Sequence, residues 1–233
     1  METHFEMELD GLKQKLLLMA SHAEAAVNQA VQALVQRDSE LALRVKENDR
    51  VIDQFELEID ELVIQLLTKA PLATNLRLVT VAMKISQNLE RIGDEASKIA
   101  KRARDLSREA PVKINLDLPR MATLALDMVK AALDAFVNWD SAAARAIIPR
   151  DKQVDALNKQ IHEALAQHMV AHPDTIGRCL NWMVATKSLE RIADHAKNLA
   201  EEVVYLCEAQ DIRHSGAKAA EKSAAQSTAD GRG

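Results

Sequence analysis

Apolar residues recur along this chain at intervals of three and four, with polar and charged residues between them. Over residues 6–37, Leu9, Leu12, Leu16, Met19, Ala23, Val27 and Ala30 follow the spacing of one helical face. Asp38 and Ser39 then offer an N-cap, and a second stretch over 38–69 carries Ile52, Phe55, Ile59, Leu62, Val63 and Leu66 on one stripe before Ala70 and Pro71 end it. A third stretch over 74–108 has Leu89, Ile92, Ala96, Ile99, Ala103 and Leu106 as its stripe. The scheme then returns over 118–139, 140–171 and 173–209. Pro149 falls inside the fifth stretch, where the aligned residue of the first half is Glu47, and an interior proline breaks a helix. The expectation is a short helix, a break near Arg150 and its counterpart Asn48, and then a long helix.

The return is a sequence repeat. MKISQNLERIGDEASKIA, from Met83, lies over MVATKSLERIADHAKNLA, from Met183, at an offset of 100, with LERI, the following Asp and three further positions identical. Upstream the offset is 102: Asp38 aligns with Asp140, Asp49 with Asp151, Asp53 with Asp155 and Pro71 with Pro173. Three amphipathic helices joined by short loops close into an antiparallel bundle. The sequence therefore predicts an all-α fold of two tandem three-helix bundles related by a pseudo-two-fold internal repeat, over 6–110 and 116–210. The Ala-, Ser- and Lys-rich tail 211–233 has nothing to bury and reads as disordered.

Composition agrees and narrows the function. Of 233 residues, 48% are hydrophobic but only 3% aromatic, which disfavours a β-sandwich or barrel. The net charge of −5 gives no basic footprint for nucleic acid. The longest uncharged run, 25–36, is too short to span a bilayer, and the acidic start lacks the features of a signal peptide, so a cytoplasmic location is expected. Cys179 and Cys207 read as free structural thiols. The basic run Lys98, Lys101, Arg102, Arg104 and Arg108 reads as a solvated helix end favoured by the helix dipole. No Gly-rich loop offers a phosphate cradle.

The acidic residues are less ordinary. Asp49, Asp53, Glu56 and Asp60 form a column on the second helix with no basic residue among them, while Glu90 and Asp94 lie about 40° apart on the third, off its apolar stripe. The second half places Asp151, Asp155, Asn158 and His162 on one helix and Glu190 and Asp194 on another. Like charges at four-residue spacing destabilise a helix by roughly 0.2–0.5 kcal/mol per pair, so a cation is expected to compensate them. If the second and third helices of each bundle are neighbours, each half gathers four carboxylates. Oxygen donors suit Mg, Mn or Ca, and bridging carboxylates also hold iron. His162 stands in place of Asp60 and His195 in place of Glu95, and imidazole would shift the second cluster toward Fe or Zn; taken singly, each histidine reads as a surface residue, and Glu95 lies on the charged face.

LERIGDEASKIA and SLERIADHAKNLAEEVVYLCEAQDIRHSG, in two tandem halves with NDRVID and RDKQVD upstream, resemble the PhoU family, the accessory and regulatory proteins of bacterial phosphate-specific transport. The resemblance runs from about Leu9 to Gly216 and implies a spectrin-like, non-catalytic, cytoplasmic regulator that forms a homodimer. It implies as partners the sensor histidine kinase of the phosphate two-component system and the ATPase of the phosphate ABC transporter, with the phosphate regulon repressed when phosphate suffices. It also implies multinuclear metal clusters, of iron or zinc and in some members Mg or Mn. Their ligands here would be Asp49, Asp53, Glu90 and Asp94, and Asp151, Asp155, Glu190 and Asp194. Ala193 stands where the family has Gly, as Gly93 does in the first half. Two other readings of the carboxylates stay open: a metal-dependent enzyme, and a purely structural helical adaptor whose acidic columns are only solvated.

Overall fold

The computed structural model describes residues 4–69 and 73–213. Seven α-helices follow in order: α1 (His4–Gln36), α2 (Ser39–Leu67), α3 (Ala73–Ser107), α4 (Leu118–Asn138), α5 (Ser141–Ile147), α6 (Asp151–Ala171) and α7 (Ile176–Glu208). The first and second helices of each half meet in the same kind of turn. Arg37 and Trp139 take left-handed conformations (φ 60° and 55°), and the following aspartates cap the next helix. Asp38 accepts from the amides of Glu40 and Leu41 at 2.9 Å, and Asp140 from that of Ala143 at 2.9 Å. The ends expected at Pro71 and the tail from His214 onward lie outside the described residues.

The break expected in both halves occurs in one. At Pro149 the chain passes through a 3₁₀ turn, Ile148–Arg150, between α5 and α6. In the first half α2 runs unbroken through Asn48, because Glu47 there keeps the amide hydrogen and the free φ that proline lacks.

The apolar stripes read from sequence form the core: Leu12, Leu16, Met19, Ile52, Ile59, Leu89, Ile92, Ile99 and Leu106 are all shut off from solvent. Helices α1, α2 and α3 pack on one another, as do α4, α6 and α7. The long helices α3 and α7 also pack against each other, so the buried residues of the two halves form one continuous core. Among the described residues no helix is long and apolar enough to cross a membrane.

This α3–α7 seam carries Glu95 and His195, whose sequence readings fail, and a further buried acid, Glu202. Glu95, expected on the charged face, is only 4% exposed, and bonds Lys98 at 2.9 Å and Arg191 at 3.4 Å. His195 is half-buried, with Nδ1 3.0 Å from Asn88 Oδ1; burial pushes its imidazole below the ordinary value, against the pull of Glu95. Glu202, also 4% exposed, joins Lys84 at 3.0 Å and Arg213 at 2.9 Å. A face that looks polar on an isolated helix is here the surface buried against the other half.

Candidate metal centre

In the first half, α2 presents Asp49, Asp53 and Glu56 to Glu90 and Asp94 of α3. Burial comes first in pushing the Asp49, Glu56 and Glu90 carboxyls up, and their acidic neighbours push them further: Asp53 and Asp94 on Asp49, Asp60 on Glu56, and Asp94 on Glu90. The Ser97 hydroxyl works the other way on Asp49. Asp53 is exposed at the rim, while Asp49, Glu90 and Asp94 are half-buried. In the second half, Asp155 and Asp194 are pushed up by burial and then by Asp151 and Glu190. All eight carboxylates read from sequence therefore lie in two mutually repelling groups. Glu56 belongs with the first group and was legible in the same column.

The compensating groups are of two kinds: Arg91 and Lys187 are near neighbours in sequence of the carboxylates they meet, while Lys197 and Asn158 reach across from another helix, which spacing alone does not show. Arg91 reaches Glu90 at 3.4 Å and Asp94 at 3.6 Å, but is itself 63% exposed, so this screening is weak. Its repeat counterpart, Arg191, turns away to Glu95 instead. In the second group, Lys197 bonds Asp151 at 3.0 Å, Lys187 pairs with Glu190, and Asn158 donates to Glu190 at 3.1 Å. The second group is the more nearly neutralised by its own chain.

The histidines do not complete either group. His195 faces the seam, and His162 Nε2 lies 3.0 Å from the Thr186 hydroxyl on the edge of the second group. The donors present are carboxylate oxygens, and two of these, Asp60 Oδ1 and Asp151 Oδ1, are buried without a hydrogen-bond partner among the described residues. That oxygen-rich, self-repelling chemistry suits hard cations or iron. Among the described residues, no three carboxylate, imidazole or thiol groups already converge on one ion position.

Gly93 sets how closely α2 and α3 approach behind the first group. A Cβ there would meet Ile52 Cδ1 at 2.8 Å. In the second half the aligned residues are Ala193 and Val154, and valine lacks that methyl; both are fully buried. Gly93→Ala is expected to destabilise by up to about 2 kcal/mol, overpacking of roughly 1–3 kcal/mol being offset by a helix-propensity gain of about 1 kcal/mol. Adding Ile52→Val should recover most of the loss in chemical denaturation. Equal stability of the single and double variants would refute this packing argument.

A duplicated three-helix unit with an acidic group on each copy defines an all-α tandem-repeat protein. The PhoU domain family model matches residues 16–103 and 118–203, and the chain belongs to the PhoU family. Among its relatives, the phosphate-specific transport system accessory protein PhoU homolog of Pseudomonas aeruginosa is 41% identical over 214 residues, covering 91% of this chain and 88% of that one. The Escherichia coli phosphate-specific transport system accessory protein PhoU is 33% identical over 213 residues, with the same coverage of both chains. The fold matches the crystal structure of PhoU from Pseudomonas aeruginosa with a TM-score of 0.85 at 40% identity, over 89% of this chain and 100% of that one. It matches the phosphate transport system regulatory protein PhoU from Streptococcus pneumoniae with a TM-score of 0.83 at 27% identity, over 90% and 99%. The family is one of regulatory accessory proteins and not of enzymes, which removes the metal-dependent enzyme as a reading.

Proposed function

We propose that this protein is a cytoplasmic regulator of phosphate uptake, coupling a phosphate ABC transporter to a sensor histidine kinase and holding phosphate-starvation genes off when phosphate suffices. The observation that carries this reading is the pair of PhoU domains covering most of the chain, in relatives named for phosphate-specific transport. A homodimer is the expected working form, reaching the membrane only through its partners. Each half holds a multinuclear metal cluster, of iron or zinc and alternatively Mn or Mg, through Asp49, Asp53, Glu90 and Asp94 and through Asp151, Asp155, Glu190 and Asp194. A bound cation removes the mutual repulsion within each group and turns an acidic surface into one that accepts acidic side chains of the kinase or ATPase.

In a strain lacking the gene, a phosphate-starvation promoter should fire in phosphate-rich medium, and the wild-type chain should silence it. Asp94→Ala with Asp194→Ala should lower metal content by elemental analysis and capture less kinase and ATPase, with helix content by circular dichroism unchanged. Unchanged metal stoichiometry in that double variant would sink the ligand assignment and leave the purely structural adaptor. Failure of the wild-type gene to silence the promoter would sink the regulatory reading.

A further inference from the structure

Between α2 and α3, one helical turn beyond the first acidic group, lies a cavity of about 260 Å³. Its walls carry Lys46, Lys98, Lys101 and Arg104 against two carboxylates, Asp49 and Asp94. Lys98 also balances Glu95, but Lys46, Lys101 and Arg104 form no ion pair among the described residues. Arg104, read from sequence as part of a solvated helix end, is half-buried, and its Nε is shut off from solvent with no hydrogen-bond partner. A buried, unmatched guanidinium N–H costs free energy, and Arg104 recovers it only when its side chain swings this donor toward an acceptor in the cavity it lines.

The repeat supplies an internal comparison. The same place in the second half is a cavity lined by three carboxylates, Asp151, Asp155 and Glu201, against three cations, Arg145, Lys152 and Lys197, of which Arg145 is already paired with Glu208. There Ile148 stands for Lys46, Asn198 for Lys98, Glu201 for Lys101 and Val204 for Arg104. Lys197, in place of Ser97, pairs with Asp151 through Oδ2 at 3.0 Å. One copy of the cavity is thus balanced by its own chain, while the other keeps three cations that nothing in the chain uses.

We propose that the α2–α3 cavity binds a soluble phosphate-class oxyanion, inorganic phosphate or a small phosphomonoester, through Lys46, Lys98, Lys101 and Arg104. The guanidinium offers fixed donors and the three ammonium groups offer point charges to a compact anion bearing several acceptor oxygens. A charge of about −1.5 to −2 answers the cationic surplus better than the single charge of a carboxylate. The recess between two helices admits a small solute and its waters, whereas a flat membrane surface does not enter it. The site is built from this chain's cations and is tested apart from the metal reading, in chelated protein.

Inorganic phosphate titrated calorimetrically into the full chain in chelator should give saturable binding. Lys101→Glu with Arg104→Val, which installs the residues of the second half, should weaken it by about tenfold or more. The thermal melt and the metal content of reloaded protein should stay as in wild type, so that loss of phosphate binding with metal retained is distinct from failure of the ligand assignment. Absence of saturable binding to the wild type, or equal affinity in the variant, would overturn the proposal. So would wild-type binding to phosphatidylglycerol vesicles that the variant loses while free phosphate neither binds nor competes, since that would assign the cations to a membrane.

Discussion

Protein stripped of metal and kept in chelator is expected to melt about 5–10 °C below the same protein given saturating Fe²⁺ or Mn²⁺ at neutral pH. A cation at 100 times its dissociation constant stabilises the folded chain by about 2.7 kcal/mol, and each kcal/mol moves the melting point of a chain this size by about 2–4 °C. The carboxylates give the sign of the pH dependence. Asp49, Glu56, Glu90, Asp155 and Asp194 have folded-state values raised above their ordinary ones, so their contribution to stability is full below the unfolded values near 4 and is lost as pH rises through the folded values. Glu58, Glu95 and Glu208 are lowered and act in the opposite sense, so the comparison must be between variants. In chelator, Asp49→Asn should equal or exceed wild type in stability at pH 7 and lose that advantage near pH 4. With metal the order should reverse on the proposed ligand set, from which Asp49→Asn removes one carboxylate. Coincident melting curves with and without metal would leave the carboxylates as a solvated surface.

Leu89→Ala is expected to lower stability by about 2–5 kcal/mol and the melting point by roughly 5–20 °C, in one transition. Leu89 has no exposed surface and lies on α3, the helix packed against α1, α2 and α7. Truncation there leaves a cavity that the surrounding helices close only in part. Because α3 and α7 share the core, the loss should be felt by both halves together. Leu57→Ala, at a side chain 60% exposed, serves as the control and should stay within about 0.5 kcal/mol of wild type. Two calorimetric transitions, only one of them shifted by Leu89→Ala, would show that the halves unfold independently and refute the single core.

Much of this could be read from one dimension. The stripes through Leu89, Ile92, Ala96 and Ile99 have the helical period and are buried as a unit, because a helix fixes which of its residues share a face before it packs on anything. Pro149 broke its helix where the missing amide predicts. The eight carboxylates were found because four-residue spacing and repetition are properties of sequence. The first half's unbroken α2 was missed by extending a proline's effect to a position that has no proline.

The sequence by itself determined the helices, the repeat and the carboxylate pairs on each helix, each of which depends on spacing along the chain. Only the tertiary structure decided which polar face is buried and which charges meet. Glu95 became an interior residue, His195 left the carboxylates for Asn88, and Arg91 stayed with Glu90 and Asp94 on its own helix while Arg191 crossed the seam to Glu95. The same packing set Lys46 of α2 beside Lys101 and Arg104 of α3, residues more than fifty positions apart, around one cavity. Charge and burial at those sites depend on the angle and distance between helices, and a helical period carries neither.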